Sequence, residues 1–380
     1  MRLPGFAGGS NVLSSTLEDC ELSINLLPET GTPGTPKAEK WLPRRPGLRW
    51  LFTVGTDPVD DLFEINGRLF GVSGTIFFEQ FDTDTYTVRG TVAYDAIDKA
   101  TMCSNGTAGD QVFIIAGSTG YIFDLGTNTL TEIIDPDFPD NPVMCEFFAG
   151  YFFVLARNSR SIQWSNLEDG LTWDTLDVYE RSWAADNINF IKRLGTHIWV
   201  VGNRTSEVLY ATGGVDVFAP AQESLIEHGS VARFTGLRMP VGIVCLDQDE
   251  RGVGQVVLFK GLQPDSISTY AINLEQQIQT EQPLQSGILN ASWACSIQMN
   301  GHVWYLLNNQ SGTFKLTPIF DFSEGLWHHW AHWDSTLCEW FPFVARCHSS
   351  AFEKHYIGDR RTGAVYELSM SNLMDQLVPA

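Results

Sequence analysis

The amino-acid sequence predicts an all-β protein, and within that class a β-propeller of six or seven blades. Short runs of aromatic and β-branched residues are separated by turns in which Gly stands beside Asn, Asp, Ser or Thr, a pattern typical of strands joined by hairpins. Of the 380 residues, 12% are aromatic and 34 are Gly. No long segment keeps a helical periodicity. A hydrophobic content of 43% and a charged content of 18% indicate a folded chain with a substantial core.

Seven hydrophobic segments share one order of features: a turn residue, a strand, a Gly or Asn turn and a second strand. They begin at Asn66, Asp110, Ala149, Gly195, Val241, Asn300 and Glu353. A period of roughly 40–50 residues with several strands per unit is typical of a propeller. The segment from Val241 is irregular, so the blade count depends on it. A β-sandwich or two small barrels would also give alternating strands, but the unbroken succession of hairpins favours the propeller.

The first 50 residues differ from the rest. Between residues 26 and 50 the chain has five prolines and little periodicity, which predicts an extended arm. Five basic residues crowd into this arm: Lys37, Lys40, Arg44, Arg45 and Arg49. We therefore predict an arm over residues 1–50 and a propeller over residues 51–380.

The net charge of −21 argues against sequence-independent binding to nucleic acid and against attachment to an anionic membrane. No stretch has the apolar length of a membrane-spanning helix, and the N-terminus lacks the apolar region of a signal peptide. The seven cysteines form no CxxC pair, and most lie in apolar runs. We expect reduced thiols and a reducing compartment.

One stretch resembles a motif of sugar-cleaving enzymes. Residues 166–173 read Asn-x-Glu-x-Gly-x-Thr-Trp, close to the Asp box of sialidase-like propellers, with Glu168 in place of the Asp. The arginines, tyrosine and glutamate that a sialidase needs occur singly and form no recognisable set. Because the Asp box closes a hairpin turn even in sialidases, we interpret Glu168, Gly170 and Trp173 as a structural turn.

The sequence HHWAHW at 328–333 places His328 and His332 at the spacing of a helical zinc pair. Trp and Gly flank them in a segment that is predicted to be a strand, so an aromatic patch is the favoured interpretation. We find no catalytic constellation, no metal site and no cofactor motif. The sequence predicts a protein that is not an enzyme.

A set of segments, in order along nearly the whole chain, is similar to those of one protein family. They include CELSINLLPE (20–29), INGRLFGVSG (65–74), GYIFDLGTNTLTEI (120–133), DGLTWDTLD (169–177), IEHGSVAR (226–233), GLWHHW (325–330) and IGDRRTGAVYEL (357–368). The chain thus resembles the packaged-DNA-stabilisation proteins of short-tailed bacteriophages, also called tail hub, nozzle or head-to-tail connector proteins.

This resemblance implies a structural role in the virion. Several copies, six in the members considered, would form a ring below the portal and adaptor proteins. The ring would close and extend the DNA channel, retain packaged DNA, allow its ejection and offer attachment sites for tail fibres or tailspikes. DNA would pass through without specific binding, which suits an acidic lumen.

The basic arm suits docking onto an acidic neighbour. We expect Lys37, Lys40, Trp41, Arg44, Arg45 and Arg49 to bind a protein partner, either the adjacent subunit or the adaptor or portal, before DNA. Two other classes of function stay open: a sugar-binding or sugar-cleaving propeller, and a monomeric propeller that binds one protein partner.

Overall fold

The computed structural model describes most of the chain. The described residues are 10, 22–30, 40–181, 183–214, 216–222, 225–248, 253–269, 272, 291–309 and 316–378. The predicted arm residue Lys37 lies outside them.

Seven sheets, each a blade of four or five antiparallel strands, follow one another along the chain. The strands before the first complete blade are β1 Glu29–Thr30, β2 Lys40–Trp41 and β3 Gly47–Thr53. Blade one has β4 Val59–Ile65, β5 Arg68–Ser73, β6 Ile76–Gln80 and β7 Tyr86–Thr91. Blade two has β8 Thr101–Ser104, β9 Gln111–Ala116, β10 Thr119–Asp124 and β11 Thr129–Glu132. Blade three has β12 Pro142–Phe148, β13 Tyr151–Ala156, β14 Ser161–Asn166 and β15 Asp169–Glu180.

The remaining blades complete the circle. Blade four has β16 Ile188–Leu194, β17 His197–Gly202, β18 Ser206–Ala211 and β19 Phe218–Pro220. Blade five has β20 Gly229–Ser230, β21 Leu237–Met239, β22 Gly242–Gln248, β23 Val253–Lys260 and β24 Gln263–Ser266. Blade six has β25 Ser292–Met299, β26 His302–Asn309, β27 Thr317–Asp321, β28 Leu326–Asp334 and β29 Glu339–Pro342. Blade seven has β30 Ala345–Ala351, β31 Lys354–Asp359, β32 Ala364–Ser369 and, from the start of the chain, β3.

The first strands of neighbouring blades pack against one another around the axis, and the seventh blade contacts the first through β30 and β4. The predicted all-β propeller is therefore confirmed, with seven blades. Each of the seven sequence units falls in a different blade: six of them contain two successive middle strands, and the unit from Asn300 contains β26 and ends before β27. The irregular fifth unit is also a blade, whose inner position is shared by two short strands, β20 and β21, paired along β22.

The hydrophobic core lies between blades. Six clusters of buried side chains follow the circle, each joining the facing surfaces of adjacent blades. Successive side chains of a strand point to opposite faces of its blade, and both faces meet a neighbouring blade. The middle strands are therefore apolar on both faces, as the burial of β9 and β13 shows. Each blade thus depends on its neighbours for burial of its apolar surface.

The circle is closed by strand β3, which comes from the start of the chain and pairs antiparallel with β32 near its end. The register joins Leu48 to Leu368 and Phe52 to Val365. Gly47 begins this strand where the C-terminal segment crosses it closely, because a Cβ there would lie 2.4 Å from the carbonyl oxygen of Asn372. β3 also contains the boundary predicted at residue 50, so the outermost strand of blade seven comes from both predicted regions.

A short segment that precedes β3 in the sequence lies against blade six. His329 donates its backbone N–H to Ser23, and Asn25 donates to the carbonyl of His329, so residues 23–25 lie along the edge of β28. We call the junction of blades six and seven, together with residues 22–30, 40–53 and 370–378, the seam.

The stretch that resembles an Asp box forms the turn between β14 and β15. Glu168 has a φ of 56°, the left-handed conformation that closes the turn. A Cβ on Gly170 would lie 2.3 Å from the Cδ1 of Ile122. The Trp173 indole N–H donates to the Gly170 carbonyl at 2.9 Å, and its ring packs edge-on against Phe138 at 5.0 Å between centroids.

We predict that replacing Trp173 with Ala destabilises the propeller. The indole is 5% exposed and belongs to the cluster between blades two and three, so its removal leaves a cavity costing about 3–5 kcal/mol. The measurement is the free energy of unfolding in denaturant. The control is Leu176→Ala in the same strand, where the side chain is 84% exposed and a change within about 0.5 kcal/mol is expected. Equal effects of the two substitutions would contradict the packing described.

We also predict that Asp375→Ala weakens closure of the circle. Asp375 pairs with the buried guanidinium of Arg45 and accepts the Leu48 backbone N–H at 3.2 Å. Removing it leaves a buried charge without its partner, at a cost of about 3 kcal/mol. The control is Asp82→Ala, which breaks an exposed pair with Lys354 and should cost about 1 kcal/mol or less. Thermal unfolding of both variants checks this, and an Asp375 variant as stable as the control would overturn it.

Candidate functional site

A groove of about 560 Å³ opens on the seam and is the candidate functional site. It lies between the N-terminal segment, the β28–β29 hairpin and the C-terminal segment. Its lining combines apolar and basic groups: Asn25, Arg44, Arg45, Pro46, Gly47, Ala331, His332, Trp333, Trp340, Leu373, Met374, Asp375 and Leu377. We call it the seam groove.

Arg45 forms the floor of the groove. Its side chain is buried, pairs with Asp375 and donates from Nε to the side-chain oxygen of Asn25 at 2.7 Å. The guanidinium also lies 4.7 Å from the ring centroid of Phe343, a cation–π distance. Arg45 therefore holds together the N-terminal segment, the C-terminal segment and blade six, so charge reversal there would disturb the fold itself.

Arg44 points to the C-terminal segment as well, but with different partners. Its guanidinium donates to the backbone carbonyls of Met370 and Asn372. Within the described part of the chain no carboxylate pairs with it, so its positive charge is available to a neighbour. Among the arm arginines 44, 45 and 49, Arg44 is the one best placed to meet an acidic partner.

The other predicted arm residues occupy separate positions along the seam. Arg49 is paired within the chain, donating from Nε to Glu367 at 2.9 Å and from a terminal nitrogen to Asp84 at 2.9 Å, and these carboxylates raise its pKa. Lys40 and Trp41 form β2, whose backbone pairs with β1. The Trp41 side chain is exposed. The structure thus pairs Arg45 and Arg49 with carboxylates of their own chain, while a role of the arm in binding a partner stays a prediction.

The β28–β29 hairpin supplies the apolar wall of the groove. Trp333 and Trp340 are paired across the two strands, with ring centroids 5.2 Å apart. Both are exposed, as are Leu337 at the hairpin turn and Leu373 and Met374 opposite. Aromatic side chains with this exposure are typical of protein interfaces.

The histidines of HHWAHW do not converge. His328 is buried without a hydrogen-bond partner for either ring nitrogen among the described residues, and burial lowers its pKa to about 3. His329 bonds to the Ser10 hydroxyl, and His332 to the Pro342 carbonyl. No group of metal-ligating side chains was found among the residues that the structure describes. The aromatic part of this motif, Trp333, lines the seam groove.

The axis of the propeller holds a second, smaller cavity of about 150 Å³. All seven inner strands or the loops beside them line it, including Asp61, Lys99, Lys192 and Cys347. Desolvation raises the pKa of Asp61 to about 6 and lowers that of Lys99, whose ammonium donates to the Arg346 carbonyl at 2.9 Å. The major groove of B-DNA alone is about 12 Å wide, so this cavity admits no duplex.

Sequence reasoning missed the residues that organise the groove. Asp375 and Asn25 gave no signal because their partners, Arg45, Leu48 and Ala331, are distant from them in sequence. Trp340 lies in a short apolar run that contains no recognisable motif. The pairing of Trp333 with Trp340 could have been found from the short turn between them, had the end of blade six been identified.

In the part of the chain that the structure describes, no helix has the length and apolar character needed to cross a membrane. The six described cysteines are all free thiols, and Cys338 is the exposed one among them.

Comparison with solved structures shows the propeller fold. The extracellular domain of a hybrid two-component system from B. thetaiotaomicron aligns with a TM-score of 0.54 at 9% identity, over 85% of this chain and 40% of that one. This chain therefore spans well under half of that domain's length, and at such identity the likeness bears on fold alone. The N-terminal domain of Nup159 aligns with a TM-score of 0.49 at 10% identity, over 92% of this chain and 98% of that one. No curated protein matches the sequence.

A protein-family comparison covers nearly the whole chain. The family described as bacteriophage P22 Gp10, beta-propeller, matches residues 20–372. This span runs from the N-terminal segment through all seven blades to the C-terminal segment that crosses β3. The chain belongs to the bacteriophage P22 Gp10 beta-propeller family of phage structural proteins.

Proposed function

We propose that this protein is a tail component of a short-tailed phage that assembles as a ring of several copies, six by family resemblance. The ring would sit below the portal and adaptor, close and extend the DNA channel, retain packaged DNA and release it on ejection. Its outer surface would offer attachment sites for tail fibres or tailspikes. The family match over residues 20–372 carries this proposal.

The narrow propeller axis supports a conduit between copies. The axial cavity of about 150 Å³ is lined by side chains from all seven blades and is too small for a duplex. A chain of this shape can enclose DNA only when several copies surround it. The fold thus favours an oligomer over a single propeller threaded on DNA.

The charge of the chain supports passage without binding. With a net charge of −21, each copy repels a phosphate backbone at long range, and several copies around one channel add to that repulsion. Retention of packaged DNA would then depend on a closed assembly and not on affinity for DNA.

The seam groove supports attachment to protein neighbours. It has an apolar wall formed by the hairpin tryptophans, carries the available charge of Arg44 and lies on the outer edge of the disc. The neighbours this suits are another copy, the adaptor or portal, and fibre proteins. A sugar-binding or sugar-cleaving propeller has less support, because the turn at Trp173 is packed into the core.

We predict that DNA-filled heads lacking this protein lose their DNA and that adding the purified protein prevents the loss. The proposed ring closes the channel below the portal. The measurement is nuclease-accessible DNA over time, with native mass spectrometry of the attached protein to count copies. Heads incubated with heat-unfolded protein serve as the control. Binding of a single copy per head, or unchanged DNA loss despite attachment, would refute the proposal.

We further predict that the isolated protein binds duplex DNA more weakly than about 10⁻⁴ M at physiological salt, the weak end of ordinary non-specific binding. The physical reason is its acidic charge. Fluorescence anisotropy of a labelled duplex measures the affinity, with a basic DNA-binding protein as the positive control. Micromolar affinity that falls with added salt would mean that DNA itself contacts a basic surface of this chain.

A further inference from the structure

The exposed apolar side chains of the propeller are concentrated at two places. The five exposed tryptophans of the described residues are Trp41, Trp50, Trp183, Trp333 and Trp340. Four lie on the seam, and Trp183 follows β15 of blade three. Most of the exposed leucines, together with Met374, fall at the same two places. Since Trp is enriched among the residues that dominate binding energy at interfaces, this distribution marks two contact surfaces.

The first surface, the seam edge, is the rim of the seam groove. It contains Trp333, Leu337 and Trp340 on the β28–β29 hairpin, and Leu373 and Met374 on the C-terminal segment. The contacts of Arg45 hold the hairpin and the C-terminal segment together. The surface is therefore formed before any partner arrives, which lowers the entropic cost of binding.

The second surface, the blade-three edge, is the outer side of β15. This strand pairs with β14 alone, so its other edge has no strand partner among the described residues. Between the pairs Ser165–Trp173 and Gln163–Val178 the strand bulges and projects Leu176, which is 84% exposed. An uncovered edge strand with exposed apolar side chains is a natural template for another chain.

Trp183 extends this second surface on a rigid base. It follows Arg181, which is fully buried and pairs with Glu207 at 3.1 Å and Asp186 at 2.9 Å. Trp183 itself is 68% exposed. Contact of a large aromatic ring with water is unfavourable, so burial of Trp183 against a partner would lower the free energy.

The two surfaces lie opposite each other on the disc. Counting blades in one direction, blade three is three places from blade six; in the other direction it is three places from blade seven. The junction of blades six and seven is thus directly across the axis from blade three. Two different surfaces at separate places on a subunit allow a head-to-tail contact between identical copies. Such contacts give a ring when the rotation from one copy to the next closes, and a filament when it does not.

The acidic strand β15 has one basic counterpart on the seam edge. β15 contains Asp169, Asp174, Asp177 and Glu180 and no basic residue, and burial, followed by the charge of Asp174, raises the pKa of Asp177. Across the disc, the seam edge presents Arg44 without a carboxylate partner among the described residues, beside a hairpin that also carries Asp334 and Glu339. A cation near the acidic strand would relieve this repulsion.

We propose that the seam edge of one copy docks on the blade-three edge of the next copy, so that Trp333, Trp340 and Arg44 face β15. This inference rests on the proposed ring and identifies the surfaces that build it. The hairpin tryptophans meet Leu176 and Val178, and Arg44 meets the acidic residues of β15. Each copy uses both surfaces once, which leaves neither exposed in a closed ring.

The chain offers its own probe for this contact. Cys338, in the β28–β29 turn, is the exposed thiol among the described cysteines. Adding Leu176→Cys places a second thiol on the opposite surface. In the assembled full-length protein, a short bis-maleimide should join Cys338 of one copy to the new thiol of the next, giving a ladder of covalent multimers in denaturing gels.

Two controls make the crosslink specific. Val88→Cys in place of Leu176→Cys puts an exposed thiol on the outer strand of blade one, which belongs to neither of the two surfaces, and should give at least tenfold less multimer. Adding Cys338→Ser to Leu176→Cys should abolish the ladder. A ladder with Val88→Cys as strong as with Leu176→Cys would overturn the proposed contact.

Interface substitutions supply an independent readout. Trp340→Ala and Leu176→Asp should each weaken self-association tenfold or more while leaving the melting transition close to that of the unchanged chain. The two surfaces would be refuted if native mass spectrometry showed an intact ring that forms no crosslink and that neither substitution weakens. That outcome would leave the proposed ring itself unaffected. A chain that stays monomeric on DNA-filled heads would refute the ring and this contact together.

Discussion

The pairing of β3 with β32 is the interaction on which the rest of the structure depends. Each blade buries its apolar faces against its two neighbours, so an open circle would leave two blades with a bare face. The closing strand comes from the opposite end of the chain, and the Arg45–Asp375 pair fixes it from outside the sheet. Because this pair is largely removed from water, it gives specificity to the closure more than net stability.

The same closure shapes the surface proposed to bind neighbours. Arg45 reaches the carbonyl of Ala331 in β28 as well as Asp375, and so joins the base of the aromatic hairpin to the C-terminal segment. The groove lies between the hairpin and the C-terminal segment, so the contacts that hold the closing strand also hold the two walls of the groove. Loss of the closure would therefore disturb the surface that is proposed to bind a neighbour.

The local part of this fold could be predicted from the sequence, whereas the closure could not. Each blade contains a hairpin whose strands and turn are adjacent in sequence, so the segments from Asn66 to Glu353 locate all seven. The sequence places the first part of β3 in the arm, because prolines and basic residues dominate the segment that precedes it. Its partner β32 lies more than 300 positions away, and nothing local identifies it. The pairing also brings the arm arginines next to carboxylates near the end of the chain, so that Arg45 pairs with Asp375 and Arg49 with Glu367.

The family match and the proposed contact together lead to one proposed arrangement, in which several propellers surround a channel, contact one another edge to edge and let DNA pass between them. The most direct test is an electron cryo-microscopy map of the phage tail that contains this protein. We expect propellers arranged in a ring with DNA on the ring axis. In each propeller, the junction of blades six and seven should contact blade three of the next copy. DNA density along the axis of an individual propeller, or blades of the same number meeting at every contact, would contradict this arrangement.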